Sequence, residues 1–161
     1  MSERARVWRA AADDADEVTR LLIGFRDWLG SDSPSPAAMA DSVARLLADP
    51  DAEYLLGAVG GEAAAAGVCQ LRFRHSAWTS REDCWLEDLF IEEAARGHGL
   101  GRALTLAACE RARERGAGRI ELDTSESNAA AIALYESVGF SATSKAHAEL
   151  SGRDLFMGRR L

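Results

Sequence analysis

The stretch EEAARGHGLGRALTLAACERARERG, residues 92–116, constrains the fold more than any other part of this chain. Three glycines alternate at Gly97, Gly99 and Gly101, flanked by Arg96 and Arg102. CWLEDLFI before them, residues 84–91, reads as a strand. Residues 101–115 after them read as a helix, with Leu100, Ala103, Leu104, Ala107 and Ala108 on one face. In a strand–turn–helix unit the first amides of the helix have no internal acceptor and point into the turn. The helix dipole adds partial positive charge there, and glycine lets a bulky anion approach without meeting a Cβ. The segment is therefore either a tight connection or a cradle for a phosphate, and the glycines alone leave both readings open. A G-x-G-x-x-G fingerprint fails because position 102 is arginine, and a P-loop fails because the turn holds no lysine.

The rest of the pattern reads β, α, α, β, β, β, α, β, α, β, β. Residues 5–10 form the first strand. Asp13 is expected to cap a helix reaching Trp28, with Val18, Leu21, Leu22, Phe25 and Trp28 or Leu29 at helical spacing. A second helix runs over 36–48, with proline in its first turn. Strands at 53–59 and 63–73 are separated by GGE, a hairpin signal, and a polar loop covers 75–83. RIELDT, 119–124, is a strand, and residues 128–138 form a helix that stops at Gly139. The remainder splits at SGRD into strands at 141–149 and 154–160. Strands in runs, as well as alternating with helices, predict an α/β (α+β) arrangement. Its mixed, mostly antiparallel sheet would be flanked by helices, in a single domain over 1–161.

The net charge of −7 argues against nucleic acid as a partner and suits a cationic one. A single lysine, Lys145, stands among nineteen basic side chains, a bias that follows coding composition rather than function. RARER, 111–115, is expected to extend the basic strip of the turn. Cys69, Cys84 and Cys109 make no disulfide or ligand pattern and read as small packed thiols, and His75, His98 and His147 make no zinc signature, so no metal is expected. The N-terminal MSERARVWRAA has no apolar leader core and no apolar run approaches a span, so a cytoplasmic protein without membrane contact is expected.

ARGHGLGRAL resembles the R/Q-x-x-G-x-G/A motif of the GNAT superfamily of acyl-CoA-dependent N-acyltransferases, with Arg96, Gly99 and Gly101 in the named positions. NAAAIALYESVGF, 128–140, is similar to that family's N-x-x-A-x-x-L-Y-x-x-x-G-F, matched by Asn128, Ala131, Leu134, Tyr135, Gly139 and Phe140. LEDLFI also fits the family's preceding strand. The resemblance covers most of the chain, with residues 20–50 least constrained. One departure is IEEAAR, where many relatives carry a proline; it bears on the rigidity of the loop.

The resemblance implies a cofactor and a division of labour. The pantetheine arm of coenzyme A would pair like an added strand with the backbone of Leu89, Phe90 and Ile91. Its diphosphate would sit on the amides of Arg96, Gly97, His98, Gly99, Leu100, Gly101 and Arg102, with Asn128 and Tyr135 beside the cofactor. Tyr135 matches the family's general acid, which protonates the departing thiolate. The nucleophile must be a neutral amine, yet an alkyl amine is only about 0.1% neutral at pH 7.4, so deprotonation costs about 4 kcal/mol. Glu87 is the expected base or substrate anchor, and Asp88 the second candidate. An unbulged strand would send the two to opposite faces; a kink where the pantetheine enters would change that parity. Trp28 and the 30–36 loop, with Phe73 and Trp78, are expected to line the acceptor pocket unless they are core aromatics.

WLEDLFI is similar to the corresponding strand of diamine and polyamine acetyltransferases. The reading that results is transfer of an acetyl group from acetyl-CoA to a primary amine of a small cationic molecule, such as a polyamine, diamine or aminoglycoside. Attack would be direct, in a ternary complex, by an enzyme that forms a homodimer. The alternatives are a non-catalytic acyl-CoA-binding sensor or partner domain, a protein N-terminal or lysine acetyltransferase, and an unrelated nucleotide-binding domain.

Overall fold

The structure is a computed structural model that describes residues 4–61, 64–141 and 160. Apart from Ser141 and Arg160, the two strands expected at 141–149 and 154–160 lie outside the described residues. Strands β1 (Ala5–Arg9), β2 (Ala52–Val59), β3 (Gly67–Ser76), β4 (Arg81–Ile91) and β5 (Ile120–Glu121) form one sheet in chain order. The first three pairings are antiparallel and the last is parallel. Helices α1 (Ala15–Trp28) and α2 (Pro36–Ala48) cover one face, and α3 (Leu100–Glu114) covers the other. α4 (Ala129–Ser137) packs on the start of α3.

Strand alternation sends side chains into two cores. Leu55, Cys69, Leu71, Cys84 and Leu86 meet Leu100, Leu104 and Ala108 of α3. Tyr54, Leu56, Val68 and Phe90 meet Val18, Leu21 and Leu22 of α1 and Val43 of α2. Because both faces are covered, β2 reads as a nearly continuous apolar run rather than an alternating one.

Four expectations are corrected. The polar loop at 75–83 shrinks to 77–80, because Phe73↔Cys84 through Ser76↔Arg81 continue the ladder; polar side chains do not stop strand pairing at an exposed hairpin end. Asp13 lies inside a 3₁₀ turn, Ala12–Asp14, and it is Asp14 whose carboxylate accepts the Ala11 amide, at 2.8 Å. β5 keeps only two ladder residues of the six expected at 119–124, so its chain leaves β4 early.

RARER does not extend a basic strip. Arg111 donates through Nε and Nη2 to the buried Glu53 of β2, at 2.9 and 2.7 Å. Arg115 lies 3.6 Å from the same carboxylate and 2.8 Å from that of Glu82. Burial pushes the Glu53 carboxyl up, but Arg111, with Arg9 and Arg115, holds it below the usual range. These arginines anchor the far end of α3 to the sheet.

Candidate active site

The register of β4 changes at one point. Gln70 pairs with Asp88 and Leu71 pairs with Leu86, which leaves Glu87 as an extra residue. Two residues thus oppose one, as in a β-bulge. Before it, Cys84 and Leu86 point to the α3 face; after it, Leu89 and Ile91 do, while Phe90 points to α1. The bulge thus changes the parity of the strand at this point. Asp88 is half-buried on the α1 face, in register with Gln70, and Glu87 beside it is exposed. Both carboxylates act electrostatically on Tyr54, which lies on that same face. Burial, and then the charges of Glu87 and Asp123, push the Asp88 carboxyl up to about 6.

β5 meets β4 only at Cys84 and Trp85. From Leu86 to Ile91 that edge of β4 has no strand partner among the described residues. Tyr135 of α4 is half-buried. The nearby Cys69 thiol, which acts electrostatically on Tyr135, belongs to the residue paired with Leu89. Burial, and to a lesser degree Cys69, push the phenol up to about 12, so it holds its proton at neutral pH. Its ring sits 5.8 Å from that of Phe140. Tyr135 thus lies on the side of Cys69, the partner of Leu89, and Asp88 on the opposite, α1 face.

The glycine turn closes the end of that stretch. In place of a proline, a 3₁₀ turn over Glu93–Ala95 stiffens the approach, with the Ala95 amide on the Glu92 carbonyl at 2.9 Å. Gly97 and Gly99 both sit at φ +80°, a left-handed conformation that side chains with a Cβ rarely adopt. A Cβ at either would meet nothing within 4 Å, so the outer surface of the turn is open. Gly101 has a different reason: its missing Cβ makes room for Leu134 of α4, 3.3 Å away. The Arg96 amide donates to the Glu93 carbonyl and the Ala103 amide to Gly99. Between them, the amides of Gly97, His98, Gly99, Leu100, Gly101 and Arg102 find no backbone acceptor outside α3 among the described residues. Among the described residues the turn offers consecutive amides without a backbone acceptor at a helix N-terminus, with open space at Gly97 and Gly99, which is the chemistry a diphosphate would need.

Comparison with known proteins places the chain in a family. Residues 16–140 match the model of the Acetyltransferase (GNAT) family. The chain belongs to the GNAT acetyltransferase family. It is 35% identical over 120 residues to the streptothricin acetyltransferase of Streptomyces lavendulae, a match that covers 74% of this chain and 57% of that protein. It is 32% identical over 143 residues to the mycothiol acetyltransferase of Gordonia bronchialis, covering 86% of this chain and 44% of that protein. The chain thus spans about half the length of these curated relatives. Among solved structures, the aminoglycoside N-acetyltransferase AAC(6')-Iy in complex with CoA superposes with a TM-score of 0.78 over 100% of this chain and 98% of that one. At 16% identity this last likeness speaks for the GNAT fold alone.

Several expected site residues have partners within the GNAT domain itself. Arg96 Nε donates to the Ile91 carbonyl at 3.0 Å, and its guanidinium lies 5.4 Å from the ring of Trp28, which ties the turn to β4 and α1. Arg102 donates to Ser137 Oγ at 3.0 Å, at the end of α4. Asn128 caps α4 by accepting the Ala131 amide at 3.2 Å. Phe90 offers the site only its backbone, because its ring is buried against α1. Trp28 is 56% exposed and stacks on Phe25, which stacks on Phe90.

Phe73 does not line this site: it is buried in the α3-side core, with Arg115 stacked 3.9 Å over its ring. Trp78 is 98% exposed in the 77–80 turn, ten residues along the chain from Asp88. The cysteines are buried or half-buried, with thiols pushed up chiefly by burial, and serve as packing groups. Two residues that sequence reasoning missed, Tyr54 and Gln70, stand in line with Asp88 across the sheet. Gln70 could have been noticed as the lone uncharged polar residue in the apolar run GVCQL.

Proposed function

We propose that this chain is an acetyl-CoA-dependent N-acetyltransferase that acts on a primary amine of a small cationic molecule. The observation that carries the reading is the unpaired edge of β4, flanked by Asp88 and Tyr135 and continued by an amide-lined turn. Acetyl-CoA supplies an acetyl group activated as a thioester. The amides from Gly97 to Arg102 would hold its diphosphate, and the backbone of Leu89, Phe90 and Ile91 would align its pantetheine arm by strand addition. The Leu89 amide would polarise the thioester carbonyl.

The acceptor ammonium must first lose one proton to become the nucleophile; attack then forms a C–N bond and breaks the C–S bond, with a second proton leaving nitrogen and one reaching sulfur. Asp88 takes the first role. A carboxylate that titrates near 6 is mostly ionised at neutral pH, yet holds a proton better than an ordinary aspartate does. Glu87, exposed at the bulge, anchors the cationic acceptor. Tyr135, protonated at neutral pH as any phenol is, delivers a proton to the departing thiolate. The relatives named for streptothricin and mycothiol support a small-molecule acceptor over a protein one. A thiol-release assay with acetyl-CoA and a panel of amines tests the proposal. Turnover on at least one amine is expected; coenzyme A binding without turnover on any would make the chain a sensor instead.

A further inference from the structure

Three polar side chains form one row across the sheet on the α1 face. Tyr54 of β2 pairs with Gln70 of β3, and Gln70 pairs with Asp88 of β4. Tyr54 is 1% exposed and Gln70 is 4% exposed. Neither the Tyr54 hydroxyl nor the Gln70 amide has a hydrogen-bond partner among the described residues, and neither does the Asp88 carboxylate. Yet no side-chain nitrogen or oxygen sealed from solvent lacks a partner there. The polar tips of these two almost buried side chains therefore keep some contact with solvent. Unpartnered polar atoms at the bottom of an apolar cluster cost stability unless water or a ligand satisfies them. Here they lie beside the carboxylate assigned to the acceptor amine, with Phe90 two residues along on the same face and Phe25 stacked on it at 5.3 Å.

We infer that Tyr54 and Gln70 form the floor of the acceptor site and select amines that carry hydroxyl or carbonyl groups, of the amino-sugar type, over bare alkyl diamines. This rests on the acetyltransferase reading above. Adjacent strands lie about 4.8 Å apart, so the row offers a carboxylate, then an amide, then a phenol at steps of roughly 5 Å. The carboxylate takes the ammonium. The Gln70 amide can donate and accept, and the Tyr54 hydroxyl donates, its proton secured chiefly by burial and then by Asp88 and Glu87. An alkyl diamine offers methylenes to both, leaving two buried polar groups unpaired. A site built to hydrogen-bond a substrate rejects the analogue that lacks those groups more strongly than an apolar pocket rejects an added one.

The test compares wild type with Gln70→Met and Tyr54→Phe, two near-isosteric changes, on hydroxylated amines of the amino-sugar type and on alkyl diamines. The readout is the ratio of kcat/KM for the two amine classes, with KM for acetyl-CoA and Tm measured alongside. Wild type should favour the hydroxylated class, and each variant should lower the ratio at least tenfold with KM for acetyl-CoA within twofold. An unchanged ratio in both variants overturns the inference; should Gln70→Met unfold the protein, Tyr54→Phe decides. Calorimetric binding of the same amines separates this inference from the reading it rests on. Hydroxylated amines bound tightly by wild type and weakly by the variants, with no turnover, would uphold the floor and sink the enzyme. Turnover with no class preference would do the reverse, and neither binding nor turnover would sink both.

Discussion

Replacing Asp88 with asparagine should make the free protein more stable at neutral pH and a poorer catalyst. The carboxyl is raised from 3.8 to about 6 by burial, Glu87 and Asp123. A folded-state value above the unfolded one means that folding must work against ionisation. Well below the unfolded value of 3.8 both states are protonated and the cost is absent. It accumulates between about 4 and 6, and above 6 it is fully present. A rise of that size corresponds to about 3 kcal/mol at neutral pH. Because solvent reaches this half-buried group, about 2 kcal/mol is the expected gain for Asp88→Asn. In a chain of this length that gain is ~6 °C in Tm. Thermal unfolding of both proteins at pH 4 and pH 8 reads the effect: the variant's advantage should shrink to about 0.5 kcal/mol or less at the acid end and reach its full size at the alkaline end. At pH 8, kcat/KM for the acceptor should fall at least tenfold. A variant that is destabilised at pH 8, or whose stability difference does not change with pH, would show that Asp88 is an ordinary packed side chain and refute the reasoning.

Tyr135→Phe should lower kcat at least tenfold while leaving coenzyme A affinity within twofold, because the ring and its packing on Phe140 are kept; equal loss of both would mark a packing role. Gly99→Val must force a β-branched residue to φ +80°, so coenzyme A binding by calorimetry should weaken at least tenfold. Since a Cβ there meets nothing within 4 Å, that variant should still fold cooperatively. Glu53→Gln leaves Arg111 and Arg115 facing a neutral amide and should destabilise the protein by about 3 kcal/mol in urea unfolding, with coenzyme A affinity unchanged.

The parts of this protein that could be read from sequence are those set by local geometry. Alternating glycines between a strand and a helix demand a turn with left-handed residues, and Gly97 and Gly99 occupy that conformation. The apolar spacing on α3 named Leu100, Leu104 and Ala108, which are buried. Asn128 before an alanine-rich run marked the start of α4. The bulge at Glu87 leaves no trace in the sequence, because apolar residues fill 84–86 and 89–91 on both sides of Glu87 and Asp88 and show no change of alternation. Contacts between distant segments left no trace. Nothing in AEYLLGAV says that Glu53 meets Arg111, 58 residues away, so from sequence RARER reads as a surface strip. Phe73 and Trp28 looked alike as aromatic candidates; one packs under Arg115 in the core and the other is exposed beside Arg96.

The account depends on the free amides of the glycine turn gripping a diphosphate. A titration of ¹⁵N-labelled protein with coenzyme A, followed amide by amide in solution, addresses this directly. The account predicts that Gly97, Gly99, Leu100, Gly101 and Arg102 show the largest downfield shifts, as their N–H groups gain anionic acceptors. Shifts confined to other segments, with these five amides unmoved at saturation, would contradict it.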